Sequence, residues 1–173
     1  MKRSFPPVVD ANTRVLVLGS LPGEASLAAR QYYGHPRNLF WPLMSRVVGT
    51  DLVPLAYEAR LSALLAAGVG LWDVIDQARR EGSLDAAIRE HQPNDLAQLV
   101  STLPALRAVG FNGGTSARIG TPQLAGANPD LIRLPSSSPA YARLTFAEKL
   151  GGWTPLAAYL HAPERSHFES PAE

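Results

Sequence analysis

Arg14-Val15-Leu16-Val17-Leu18-Gly19-Ser20 is a β-branched apolar run that stops at a glycine. A short run with no polar alternation suits a strand covered on both faces, as in parallel sheets. Its carboxyl end is followed by Ser20-Leu21-Pro22-Gly23-Glu24, a loop by composition. The pattern recurs along the chain. Val69-Gly70-Leu71-Trp72-Asp73-Val74-Ile75 reads as a second strand, Leu106–Asn112 as a third followed by a glycine loop, and Leu131–Leu134 as a fourth followed by Pro135–Ala140. The intervening stretches carry helical signals. They are a short helix at Ala25–Arg30, helices at Leu39–Val48 and Tyr57–Ala67 (the latter stopped by Gly68), one capped by Asn94 or Asp95 and running through Ser101, one opening at Gly114–Ile119, and a final helix over Thr145–Leu160. Met1–Thr13 reads as an entry segment. Strands alternating with helices imply a parallel sheet with helices on both faces. In such sheets the ligand crevice lies beyond the carboxyl ends of the strands. That directs attention to the loops Gly19–Gly23, Phe111–Gly114 and Pro135–Ala140.

The 173 residues suit one domain, expected over residues 1–162, with a polar tail at 163–173 expected to be disordered. The absence of cysteine excludes disulfides, thiolate nucleophiles, cysteine-ligated zinc and iron–sulfur clusters. No apolar run approaches the ~18 residues needed to span a bilayer, and no apolar segment follows the charged start Met1-Lys2-Arg3. The expectation is a cytoplasmic, soluble protein with no membrane partner. The net charge is only +1, so any nucleic-acid face must come from local clustering of arginines rather than from global charge.

The most informative stretch is Gln31-Tyr32-Tyr33-Gly34-His35-Pro36-Arg37-Asn38-Leu39-Phe40-Trp41. A ring in this loop could stack on a nucleobase, worth ~1–3 kcal/mol, and an asparagine amide could bond a base edge or orient a water. Phe40 and Trp41 read as core residues at a helix start, and His35 before Pro36 as a structural histidine. Tyr33 and Asn38 add little stability to a polar loop and read as functional. Gly19-Ser20-Leu21-Pro22-Gly23 could bring backbone amides close to an anion or sugar, although alone it reads more readily as an ordinary tight turn. Phe111-Asn112-Gly113-Gly114 places an asparagine after a buried strand, where turn and recognition roles are both open. Leu134-Pro135-Ser136-Ser137-Ser138-Pro139-Ala140 sets small hydroxyls between prolines, a rigid loop able to approach phosphates.

In order, these segments resemble the uracil-DNA glycosylase superfamily. Gly19–Gly23 stands where its first motif lies, and His35-Pro36-Arg37-Asn38-Leu39-Phe40-Trp41 is similar to a stretch of its mismatch-specific members. Gln31–Asn38, Leu71–Val74, Gly82–Asp85, Phe111–Gly113 and Ser136–Ala140 together resemble the hypoxanthine-DNA glycosylase branch. The resemblance implies an α/β fold, a three-layer α/β/α sandwich with a short, mainly parallel central sheet. It also implies a monofunctional glycosylase acting on deoxyinosine in DNA. By position, Asn38 and Asn112 correspond to catalytic asparagines, Asn112 also contacting the base, and Tyr33 to the ring that stacks on it. Gly19, Ser20, Leu21, Pro22, Gly23, His35 and Phe111 fall in the substrate-binding set. Arg37, Ser136, Ser137, Ser138, Pro139 and Ala140 fall in the DNA-contacting set. Leu21 stands where other branches carry an asparagine or an acid that holds the attacking water, which argues against the usual route of uracil excision.

A base in duplex must be flipped out before its glycosidic bond is reached. Cleavage puts negative charge on the departing base, to be met by donors aimed at it, with Asn112 and amides near Ser20 as candidates. Asn38 is expected to orient the attacking water. His35 is a rival general acid. Asp73 and Asp85 are further acids, the former read as lying inside a strand and the latter as a helix cap. The expected partner is DNA containing a deaminated base, bound by a monomer without metal or cofactor. Uracil or xanthine as the target base, lesion binding without turnover, and a nucleotide-binding domain are the alternatives.

Overall fold

The computed structural model describes residues 1–161; the expected polar tail at 163–173 lies outside them. The elements in order are β1 (Lys2–Arg3), β2 (Val15–Gly19), α1 (Glu24–Ala29), α2 (Phe40–Val48), α3 (Tyr57–Ala67), β3 (Val69–Asp73), β4 (Ile75–Arg79), β5 (Arg89–Pro93), α4 (Leu96–Ser101), β6 (Ala108–Asn112), α5 (Gly114–Leu124), β7 (Asp130–Leu134) and α6 (Phe146–Trp153). Short 3-10 turns cover Asp85–Ala87 and Thr154–Tyr159.

The four apolar runs form one parallel sheet in the order β3-β2-β6-β7. Alternation along each strand divides the core in two. Val15 and Val17 of β2, with Val69, Leu71 and Ala108, face a layer built from Phe40, Trp41, Leu43 and Met44 of α2, Leu64 of α3, and Trp153. Leu16 and Leu18, with Val109 and Phe111, face Leu96 of α4 and Ala117 and Leu124 of α5. Helices therefore cover both faces, which is the α/β/α arrangement expected.

Two features differ from the sequence reading. The run at residues 69–75 is not one strand. It leaves the sheet after Asp73, where Val74 N–H and Ile75 N–H donate to the carbonyls of Gly19 and Ser20. The chain then enters a small antiparallel sheet, β1-β4-β5, to which the supposed entry segment contributes β1. The final helix also ends early, at Trp153. Gly151 and Gly152 weaken it, and Pro155, which cannot donate to an α-helical ladder, starts the 3-10 turn.

Candidate active site

The strand ends generate a row of side chains on one sheet face. Gly19 is in register with Asp73, Leu18 with Phe111, and Asn112 with Leu134. Asp73, Gly19, Asn112 and Leu134 are thus the last residues of β3, β2, β6 and β7 at one level. Counting by twos places all four on the side of Val15, Leu71 and Ala108. Gly19, in the middle, contributes no side chain, and two neighbours fill that space. A Cβ built there would lie 2.5 Å from Asp73 Oδ1 and 3.1 Å from the Tyr33 hydroxyl.

Above this row opens a cavity of about 610 Å³, within the roughly 300–1,000 Å³ usual for small-ligand sites. Gly19–Gly23, Tyr33, His35, Asn38, Asn112 and Ser136–Ala140 all line it, joined by Asp73 and Asp85. The three loops singled out by sequence therefore converge. Gly113 makes one of the turns possible: its φ of 92° is unfavourable for any residue with a Cβ, and its N–H donates to the Leu134 carbonyl at 3.0 Å. The first turn of α5 follows at once, so Gly114 and Thr115, whose N–H groups have no intrahelical partner, border the cavity.

Asn38 and Asn112 are coupled through Ser137. Asn112 Nδ2 donates to Ser137 Oγ at 2.9 Å, Ser137 Oγ donates to Asn38 Oδ1 at 2.8 Å, and Asn112 Oδ1 accepts the Ser137 N–H at 2.9 Å. Asn38 Oδ1 also accepts the Phe40 N–H at 2.9 Å, at the entry to α2. Because a backbone N–H can only donate, these bonds fix which way each amide points. Asn38 Oδ1 is filled by two donors and Asn112 Oδ1 holds one, which leaves unbonded N–H on both side chains: two on Asn38 and one on Asn112. Asn38 thus offers N–H donors rather than an acceptor.

Tyr33 stacks one face on Phe40, with ring centroids 3.9 Å apart and planes 17° from parallel. Its backbone is left-handed, φ 54°, a conformation costing a non-glycine residue roughly 1–3 kcal/mol and concentrated at functional sites. The Tyr33 hydroxyl is buried without a hydrogen-bond partner among the described residues, as is Asp73 Oδ2. Burial raises the Tyr33 pKa, and the Asp73 charge raises it further. The Asn112 amide pulls the other way without completing a hydrogen bond.

Asp73 is 4% exposed, and its carboxyl is pushed up to about 7, first by burial and then by Asp85, with Arg80 opposing. Asp85 stands nearer the mouth, its side chain 38% exposed, and accepts the Ser20 hydroxyl at 2.6 Å. It opens the 3-10 turn rather than capping it, since the cap position is Leu84. Burial lowers the pKa of Arg80 while Asp85 and Asp73 resist the fall. Its guanidinium donates to the carbonyls of Pro22 and Gly82, tying the first loop to the β4–β5 connection.

Two expected site residues, Phe111 and Ser137, take other positions. Phe111 has its ring in the opposite core layer, against Gly120 and Val74's side of the sheet, and does not line the cavity; one residue along a strand reverses the face. Ser137 is 1% exposed and its N–H, carbonyl and hydroxyl are all bonded within the protein. It therefore holds the asparagines rather than a phosphate. Arg37 is exposed and outside the cavity lining, while its N–H donates to His35 Nδ1 at 3.1 Å. An accepting Nδ1 leaves the proton of the neutral His35 ring on Nε2. Among the described residues no group of three His, Asp or Glu is arranged to hold a metal, and no helix is long and apolar enough to cross a membrane.

A short parallel sheet whose carboxyl edge carries a cavity framed by amides, an aromatic ring and a buried carboxyl defines an α/β enzyme with a small-ligand site. The chain belongs to the uracil DNA glycosylase superfamily, whose family description matches residues 6–154. It is 42% identical over 152 residues to a hypoxanthine DNA glycosylase of Methanosarcina barkeri, covering 88% of this chain and 95% of that one. A hypoxanthine DNA glycosylase of Methanosarcina acetivorans is 42% identical over 145 residues, 84% of this chain and 91% of its own. The solution NMR structure of a Methanosarcina acetivorans chain, described as a candidate uracil DNA glycosylase, superposes with a TM-score of 0.83 at 39% identity over 92% of this chain and 99% of that one.

Proposed function

We propose that this chain is a monofunctional DNA glycosylase that extrudes deoxyinosine from DNA and hydrolyses its N-glycosidic bond, releasing hypoxanthine. One domain over residues 1–162 carries the activity. The observation that supports this best is the Asn112–Ser137–Asn38 chain, which leaves three amide N–H groups unbonded on two side chains that line the cavity. Donors fixed in place before reaction suit a leaving group that gains negative charge as the C1′–N9 bond breaks. The extruded purine lies against the free face of Tyr33, and Asn38 and Asn112 stabilise it as it departs.

The cationic sugar left behind is captured by water, and a dissociative reaction needs only weak activation of that water. The Leu21 side chain, 6% exposed on the cavity wall, neither holds nor activates it. Ser136, Ser138, Pro139 and Ala140 form the rim, stiffened by Ser136 Oγ accepting the Ser138 N–H and Ser138 Oγ accepting the Ala140 N–H, each at 3.2 Å. There they press on DNA beside the lesion, with Arg37 reaching phosphate.

A panel of duplexes carrying one deoxyinosine, deoxyuridine or deoxyxanthosine, treated with the protein and then alkali, tests the reading. Strand breaks strongest at deoxyinosine are expected. Binding without breaks at any of the three would replace it with a lesion-binding role.

A further inference from the structure

Resting on the glycosylase reading above, we infer that Asp73 is a specificity-determining residue of this cavity, its carboxylate accepting the ring N–H that adjoins the carbonyl of a deaminated base. Deamination replaces an amino group and a neighbouring ring lone pair by a carbonyl and a ring N–H. The new edge is an acceptor beside a donor. The cavity presents the complement. On the β6 side Asn112 and Asn38 carry the unbonded N–H groups, Asn38 Oδ1 being filled by Ser137 and Phe40 and Asn112 Oδ1 already holding the Ser137 N–H. On the β3 side, across Gly19, stands Asp73, buried, with Oδ2 unpartnered among the described residues. Asp73 and Asn112 are two strands apart, about 10 Å between backbones, and their side chains lie on one face of the sheet.

Adenine would set its amino group against the amide donors and its N1 lone pair against the carboxylate, and both contacts repel. Guanine shares the accepted edge and has to be excluded at its 2-amino group. Asp85 does not fill this role, because it is half-exposed at the mouth and bonded to Ser20.

The groups facing Asp73 are Asp85 and Arg80 from the β4–β5 side and Tyr33 and Tyr32 from the loop before α2. Their balance, dominated by burial, leaves the carboxyl titrating near 7. The ionised carboxylate is the stronger acceptor of the two forms, so kcat/KM on deoxyinosine should climb as pH rises through that region and level off above it. A carboxyl acting as a proton donor would give the reverse slope.

The test is single-turnover hypoxanthine release from deoxyinosine duplex between pH 5.5 and 8.5 by the wild type, Asp73→Asn and Asp73→Ala. The inference expects an acid limb near pH 7 in the wild type. It expects losses of about tenfold for Asn, which keeps a neutral acceptor, and about a hundredfold for Ala, with no acid limb in either. A pH-independent or oppositely sloped wild-type profile, or an Asn variant with the wild-type rate and limb, overturns it while leaving the glycosylase reading intact. Should either variant fail to fold, the wild-type profile alone decides. A wild type that releases no hypoxanthine at any pH overturns the glycosylase reading itself.

Discussion

The Asp73 carboxylate stands where a side chain at position 19 would have to go: a Cβ on Gly19 would meet Asp73 Oδ1 at 2.5 Å and the Tyr33 hydroxyl at 3.1 Å. Gly19 is therefore less a turn residue than the floor over which two cavity groups meet. Gly19→Ala must displace one of them. It is expected to cut hypoxanthine release at least tenfold while costing about 1–3 kcal/mol of stability. Gly151→Ala, in α6 with open space around the new methyl, is the control and should leave activity unchanged and stability equal or slightly higher. Paired activity assays and thermal melts check both.

Removing Ser137 Oγ leaves Asn112 Nδ2 and Asn38 Oδ1 each short of a partner. Ser137→Ala should cost about 1–3 kcal/mol of stability and lower single-turnover cleavage, because each amide loses its side-chain anchor and keeps a single backbone bond, from Phe40 or from residue 137. DNA affinity, measured by fluorescence anisotropy on uncleaved duplex, should change little, since Ser137 is buried.

Arg80 holds the first loop from beneath through the Pro22 and Gly82 carbonyls. Arg80→Met removes hydrogen bonds from a charged donor, each worth about 1.5–3 kcal/mol, and frees the Ser20–Gly23 loop. Lowered melting temperature together with faster amide exchange confined to residues 20–24 and 82–85 is expected. A uniform rise in exchange would point instead to general destabilisation.

The raised pKa of Asp73 also makes stability depend on pH. In the unfolded chain this carboxyl ionises near its ordinary value of 3.8, in the folded chain near 7. Between those values the folded state holds the extra proton, so its stability contribution is complete below about 4 and is lost as pH rises toward 7. Asp73→Asn does not titrate. Its melting temperature relative to wild type should therefore increase from pH 4 to pH 7 and then stay level. A gap that is constant with pH would show that Asp73 is not perturbed.

Much of this architecture is legible in the sequence because it rests on local signals. Unbroken β-branched runs such as Val15–Leu18 suit strands buried on both faces, and the residues that end them fall at the carboxyl edge, where the α/β rule places a ligand. Asp73 reads as a mid-strand acid rather than a strand-end site residue because Val74 and Ile75 continue its apolar run, hiding the strand end. Aligning the polar ends of the runs, Gly19, Asp73 and Asn112, is the signal that could have exposed it. The small sheet was invisible for the opposite reason: Arg89-Glu90-His91-Gln92-Pro93 has no apolar alternation and is exposed throughout. The tie that couples Asn38 to Asn112 runs through Ser137, 99 residues from Asn38, and no local pattern encodes it.

The most direct measurement is chromatographic detection of free hypoxanthine from a duplex bearing one deoxyinosine, under single-turnover conditions, with wild type and Asn38→Ala. The wild type should release stoichiometric base. Asn38→Ala should release it about a hundredfold more slowly, with DNA affinity reduced far less. Wild-type rates in the variant, or equal losses of cleavage and binding, would contradict the role given to the Asn38 donors, and absence of free base from the wild type would contradict the activity itself.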